Sequence, residues 1–164
     1  MANRVIIARQ LDLEYLQIVM ISKQPFPYKP EEYETEKASN AYLMSLVVVI
    51  VGLPFPIINL IATWGYFMGQ RKSSYFVRWH CLQALLSQIS IVIINAFAIG
   101  WTWSIILSDR SLSNGYLAYM ALAVFYNLLE FVVTIITAIE TRKGQHLSWW
   151  MYGPLTQVLC KPKL

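Results

Sequence analysis

Charged residues are scarce in this sequence. Only 13% of its 164 residues are Asp, Glu, Lys or Arg, whereas soluble domains carry about 25%. Hydrophobic residues make up 57% of the chain, and the mean hydropathy is +0.47. A soluble protein of this size has too little interior to bury so much apolar surface. The composition therefore excludes an ordinary soluble domain and predicts an integral membrane protein.

Residues that carry most enzyme chemistry are also few. The two cysteines, Cys81 and Cys160, and the two histidines, His80 and His146, show no metal-ligand spacing. The sequence contains no nucleophile–base motif and no phosphate-binding glycine loop. No run of Lys and Arg interleaves with aromatic residues as a nucleic-acid groove requires. We therefore expect neither an enzyme nor a nucleic-acid-binding protein, and we expect no metal and no cofactor.

Three regions follow one another along the chain. The pattern of residues 1–22 predicts a weakly amphipathic N-terminal helix that lies on the membrane surface or against a partner. The alternative for this segment is a buried strand. Residues 23–39 are rich in Pro and Glu, which predicts an extended linker because proline lacks the amide hydrogen that a helix needs. Residues 40–164 are the predicted transmembrane helical domain, which ends in a C-terminal tail lying along the membrane interface.

Three apolar segments of this domain are long enough to cross a bilayer, which takes about 20 helical residues. They are Ala41–Met68, Trp79–Leu107 and Tyr116–Ile139. Backbone polar groups must be paired inside hydrocarbon, so such segments are expected to be helical. Pro54 and Pro56 predict a kink or a break in the first segment. The expected fold class is all-α, an integral membrane bundle of three transmembrane helices.

The basic residues of the loops predict an orientation. The loop between the first two spans contains Arg71 and Lys72, and the segment after the third contains Arg142 and Lys143. The positive-inside rule places these segments inside, which gives an N-out, C-in topology. We expect this topology in a bacterial inner membrane or in an organellar membrane of bacterial origin.

Each predicted span carries polar residues at steps of three and four. Asn59, Gln88 and Glu130 all lie about 14 Å from the inner end of their span at a rise of 1.5 Å per residue. Polar side chains facing lipid are costly, so these three are expected to meet in an interhelical polar seam. Glu130 is either a structural anchor hydrogen-bonded to one or both amides, or a proton or substrate relay.

Arg78, His80 and Gln83 form a second candidate group at the inner edge of the second span. We expect His80 to make hydrogen bonds or to contact lipid headgroups there. The alternative is that His80 serves as a single axial ligand for a haem or a chlorophyll.

The stretch SSYFVRWHCLQALLSQ, Ser73–Gln88, resembles the twenty-kilodalton subunit of the chloroplast inner-envelope translocon (Tic) and related small bacterial membrane proteins of unknown function. The segments Gly52–Lys72 and Ala138–Leu155 are similar to the flanking parts of those bacterial proteins. The resemblance implies a non-catalytic subunit of a larger membrane complex that acts in protein transport.

Its partners would be other membrane subunits and the bilayer, without nucleic acid. Two alternatives remain open at this point. One is an accessory or assembly subunit of a respiratory or photosynthetic complex, with His80 contacting a pigment or haem. The other is a small transporter that uses Glu130.

Overall fold

The computed structural model describes residues 21–50, 56–108 and 111–161. Within these ranges the chain forms five helices and a two-stranded antiparallel sheet. The predicted N-terminal helix, residues 1–22, lies outside the described residues except for its last two, which begin the first strand. In chain order the elements are β1 (Ile21–Lys23), α1 (Glu32–Ile50), α2 (Pro56–Gly69), α3 (Tyr75–Leu107), α4 (Asn114–Arg142), β2 (Leu147–Trp149) and α5 (Tyr152–Leu159).

Helices α3 and α4 are long and apolar enough to cross a membrane. Each begins at a serine whose side chain accepts a hydrogen bond from a backbone amide of the first turn, Ser74 for α3 and Ser113 for α4. Such caps satisfy amides that have no partner within the helix. These two helices correspond to the second and third spans predicted from the sequence.

The prediction of Ala41–Met68 as one membrane crossing is not confirmed. Helices α1 and α2 are separate. Their antiparallel direction is shown by a hydrogen bond of 2.9 Å, in which the Tyr66 hydroxyl near the end of α2 donates to the carbonyl of Lys37 near the start of α1. The sequence supplies the reason at Pro54 and Pro56, since proline removes a helical hydrogen bond and disfavours helix in the residue before it. The described residues therefore hold two long helices that suit a membrane crossing and a shorter helical hairpin.

Helix α1 begins inside the segment 23–39 that was predicted to be an extended linker. The last proline of that segment is Pro30, so nothing after it prevents helix formation. At the helix start, the carboxylate of Glu34 accepts a hydrogen bond from the backbone amide of Glu31 (2.8 Å). Acidic residues in a first turn also stabilise a helix through its dipole. The glutamates that suggested a solvated linker instead begin a helix.

The segment before α1 and the tail after α4 lie at the same end of the bundle. Strand β1 pairs with β2 in antiparallel register, with Ile21 opposite Trp149. The ammonium of Lys23 also forms an ion pair with Glu140 (2.8 Å). The N-out, C-in prediction therefore fails for the described residues, because the antiparallel α1–α2 hairpin returns the chain to its starting side. We call this part of the molecule, residues 21–37, 70–80 and 140–161, the charged end.

The C-terminal tail enters the bundle, whereas the sequence predicted that it would lie along the membrane interface. The hydroxyl of Tyr152 is 2.7 Å from that of Tyr126. Tyr126 lies roughly four turns, or about 24 Å, before the C-terminal end of α4. The Trp149 indole also donates to the Thr137 hydroxyl (2.8 Å). These aromatic side chains find hydrogen-bond partners between the helices, which accounts for the insertion.

The hydrophobic core lies near the charged end and joins both strands to the helices. The far halves of α3 and α4 instead expose large apolar side chains, which suits contact with lipid. Among them are Phe97, Leu107, Leu122 and Phe125. The core cluster consists of Ile21, Ala41, Tyr42, Val77, Cys81, Ala84, Val133, Ala138, Leu147, Trp149 and Tyr152.

Candidate functional site

A buried amide on α3 ties strand β2 to the helices. The side-chain amide of Gln83 donates to the carbonyl of Leu147 (3.1 Å) and to the Tyr42 hydroxyl (2.9 Å). Its carbonyl oxygen accepts the backbone amide of Trp149 (3.1 Å). A backbone carbonyl only accepts and a backbone amide only donates, so these two partners fix the orientation of the Gln83 side chain.

This orientation determines the proton positions of a chain of buried rings. Tyr42 receives a hydrogen bond from Gln83, so its own proton is free to go to Nδ1 of His80, 2.8 Å away. His80 then carries its proton on Nε2, which lies 3.2 Å from Nδ1 of His146. His146 in turn carries its proton on Nε2 when neutral. The chain Gln83–Tyr42–His80–His146, which we call the histidine network, therefore runs in one direction.

The histidine network favours neutral imidazoles. His146 packs against the rings of Phe26 and Trp79, with centroid distances of 4.7 and 4.3 Å. Burial lowers the pKa of His146 from 6.5 to about 4. Protonation of Nδ1 would also set that proton against the one donated by His80. The site therefore resists acquiring charge, as a structural network does.

Both ring nitrogens of His80 are used within the histidine network. No nitrogen of this residue is left to coordinate a metal, so an axial ligand at His80 would disrupt the bonds to Tyr42 and His146. Within the described ranges, no group of three or more His, Cys, Asp or Glu side chains is placed to hold a metal ion.

Of the predicted inner-edge group, His80 and Gln83 belong to the histidine network and Arg78 does not. The Arg78 guanidinium donates to the carbonyl of Lys161 (3.4 Å) near the end of the tail. Its role in the described structure is thus to hold the chain that follows α5 at the charged end.

Glu130 lies further along the bundle, on the face of α4 that meets α3. Its Oε1 accepts hydrogen bonds from Ser87, Gln88 and Thr134, each 3.1 Å away. The structure therefore brings together two of the three residues of the predicted seam, Gln88 and Glu130. One layer further from the charged end, Asn95 and Asn127 exchange amide hydrogen bonds of 3.0 Å.

Asn59, the third residue of the predicted seam, is buried on α2 but makes no hydrogen bond to Gln88 or Glu130. Its Oδ1 has no partner among the described residues. The predicted depth is unaffected by the break, since Asn59 and Met68 lie in the same helix, but α2 packs mainly against α1 and α3 and not against α4, which carries Glu130.

Sequence reasoning missed Tyr42 and His146 as members of a site. Tyr42 was counted as part of an apolar span, and His146 as part of an interfacial tail. A signal was available for His146, since the predicted topology already placed it and His80 at the same end. Tyr42 gave no comparable signal, because a tyrosine near the start of a span is usually an interfacial residue.

A protein-family model matches residues 36–156, from within α1 to within α5. The family, MamF/MmsF, is described as the magnetosome magnetite crystal formation protein family. The chain belongs to the MamF/MmsF family. The match covers about three quarters of the chain and includes every residue of the histidine network and Glu130. Comparisons with curated proteins and with solved structures found no match.

This membership corrects the function expected from the sequence. The chain is not a member of the translocon family, and neither the protein-transport role nor the alternatives offered with it stand. The misleading phrase, Ser73–Gln88, combines basic and aromatic residues at the start of a membrane helix. Such residues are favoured at the membrane interface whatever the family, so the resemblance had little specificity. Membership in MamF/MmsF and two long apolar helices together fit a membrane protein.

Proposed function

We propose that this chain is an integral protein of the magnetosome membrane and acts there in magnetite crystal formation. The family match over residues 36–156 carries this proposal. The matched region contains both helices that are long and apolar enough to cross a membrane. The proposed role therefore belongs to the helical bundle and not to a separate domain.

We further propose that the charged end faces the cytoplasm. Most of the basic residues gather there, and the positive-inside rule favours the cytoplasmic side for such segments. The opposite end of the bundle, where α3 ends and α4 begins, would then face the compartment in which the crystal grows. The basic residues concerned are Lys23, Lys29, Lys37, Arg71, Lys72, Arg78, Arg142, Lys143 and Lys161.

The contacts of the carboxylates support a non-catalytic role. The carboxylate of Glu34 accepts hydrogen bonds from the Tyr28 hydroxyl and from the backbone amide of Glu31, just before α1. Glu36 pairs with Arg142, and Glu140 pairs with Lys23. These groups hold the charged end together. We propose that the chain contributes to crystal formation as a subunit of a membrane assembly, with other membrane proteins contacting the apolar faces of α3 and α4.

Removal of the gene from its host tests the role in crystal formation. Cells without the chain should form magnetite crystals of altered size or number in electron micrographs, and the intact gene should restore them. As a control for the complementation, a gene carrying Gln145→Leu, a change at an exposed position of the charged end, should restore the crystals as well as the intact gene does. Unchanged crystal size, number and cellular iron content in the deletion strain would refute the role.

Cysteine labelling of isolated magnetosomes tests the location and the orientation. With Cys81 and Cys160 replaced by alanine, Lys72→Cys and Ser111→Cys place one thiol at each end of the bundle. A membrane-impermeant maleimide should label Lys72→Cys in intact magnetosomes and Ser111→Cys only after detergent is added. The opposite pattern would reverse the orientation. Absence of the chain from magnetically isolated membranes would contradict the location.

A further inference from the structure

A cavity of about 240 Å³ lies between α4 and the inserted part of the tail. It is separate from the histidine network, and its walls are almost entirely apolar. One wall comes from consecutive turns of α4, and the other from the last residue of β2 and the residues that follow it. The side chains that matter here are Tyr126, Leu129, Glu130, Val133, Trp149 and Tyr152.

The carboxylate of Glu130 places a polar atom, Oε2, at this otherwise apolar cavity. The three hydrogen bonds that its carboxylate accepts from described residues all end on Oε1, and none ends on Oε2. Glu130 is only 8% exposed and lines the cavity. Oε2 therefore has no donor among the described residues, and the apolar walls around it solvate a carboxylate oxygen poorly. The free oxygen is therefore suited to a donor or a cation that enters the cavity.

The aromatic walls favour a cation over a neutral donor. Faces of Tyr and Trp rings attract ammonium groups, and the attraction grows when water is excluded. The hydroxyls of Tyr126 and Tyr152 are bonded to each other at 2.7 Å, which fixes both rings. Trp149 is held in the same way by its bond to Thr137. The cavity thus has a preformed aromatic wall beside one acidic oxygen.

We propose that this cavity binds a cationic amphiphile, a primary ammonium group on a small apolar body. The ammonium would donate to Glu130 Oε2, and the apolar body would fill the space beside Leu129 and Val133. A charge-assisted hydrogen bond of this kind is stronger than a neutral one. Binding here does not depend on the role in crystal formation.

Two probes that differ only in the head group test this site. The full chain is placed in phosphatidylcholine nanodiscs and titrated with 4-bromobenzylamine or 4-bromotoluene, whose bromine quenches tryptophan fluorescence on contact. The amine should quench saturably, through the two tryptophans that line the cavity, Trp149 and Trp150, with an affinity about tenfold tighter than that of 4-bromotoluene. Equal quenching by the two probes would overturn the proposal, because the cavity would then recognise only apolar bodies.

Variants separate the charge from the shape of the site. Glu130→Gln keeps the size of the side chain and should abolish the preference for the amine, while Glu32→Gln, on an exposed glutamate outside the cavity, should retain it. Leu129→Phe narrows the cavity without touching the carboxylate and should weaken binding of the amine about tenfold. Undiminished amine binding by either Glu130→Gln or Leu129→Phe would contradict the assignment.

The ammonium can come from a lipid headgroup or from a free amine. Nanodiscs that contain phosphatidylethanolamine distinguish the two sources. Competition of this lipid with 4-bromobenzylamine identifies the headgroup as the occupant, and undisturbed titration identifies the free amine.

Discussion

The histidine network depends on one side chain, Gln83, and its replacement gives a quantitative test. Gln83→Leu has similar volume but removes the bonds to Tyr42, Leu147 and Trp149. Each lost hydrogen bond costs on the order of 1 kcal/mol, and the buried partners left behind have no water to replace it. We therefore expect the free energy of unfolding to fall by about 3 kcal/mol.

Thermal unfolding of the purified chain in mild detergent, followed by circular dichroism, measures this loss. A protein of this size loses about 2–4 °C in Tm per kcal/mol, so Gln83→Leu should lower Tm by about 6–12 °C. Hydrogen–deuterium exchange locates the effect. The Trp149 amide donates to Gln83 in the native structure, so its exchange should become much faster, while amides in the middle of α4 should change little.

Gln145→Leu is the matched control for this experiment. It makes the same substitution at an exposed position two residues before β2, and we expect its Tm to stay within about 1 °C of the native value. The reasoning is refuted if Gln83→Leu loses no more stability than Gln145→Leu. Unchanged exchange at Trp149 would refute it independently.

Three further predictions concern single residues. Glu130→Leu removes three hydrogen bonds between and along α3 and α4, so the free energy of unfolding should fall on the order of 1 kcal/mol, and an unaltered Tm would refute the anchoring role. Because folding lowers the pKa of His146 from 6.5 to about 4, the unfolded chain binds the extra proton first, so Tm should fall as the pH drops between those values; His146→Gln should weaken that pH dependence. Gly144 has a φ of +80°, so Gly144→Ala should cost about 1 kcal/mol, measured as a lower Tm.

Hydropathy predicted α3 and α4 well but failed for the first apolar segment. Length and apolar character identify a helix that suits a bilayer, and both long helices meet that test. The same measure cannot tell one crossing from two antiparallel helices within Ala41–Met68. The two prolines near its middle carried that information: they predicted either a kink or a break, and the structure has separate helices α1 and α2 there.

Helical periodicity also predicted part of the candidate site. It placed Gln88 and Glu130 on faces that meet, and a hydrogen bond joins them. It could not reveal the histidine network, because β2 supplies two of the three partners of Gln83 through its backbone. Hydrogen bonds to backbone groups cannot be predicted from residue type, because nearly all residues carry the same backbone groups. Strands of three residues are also too short to show a hydrophobic pattern.

The pairing of β1 with β2 has a consequence for the order of biosynthesis. Ile21 and Trp149 are neighbours in space but stand near opposite ends of the chain. A ribosome must therefore have produced the whole segment from Ile21 to Trp149 before these two strands can pair. Until then Gln83 lacks its two backbone partners in β2, the carbonyl of Leu147 and the amide of Trp149. A chain truncated before Leu147 would keep its apolar helices but could form neither the β1–β2 pair nor the bonds from Gln83 to β2. Such an incompletely folded chain is expected to be bound by chaperones and degraded by proteases.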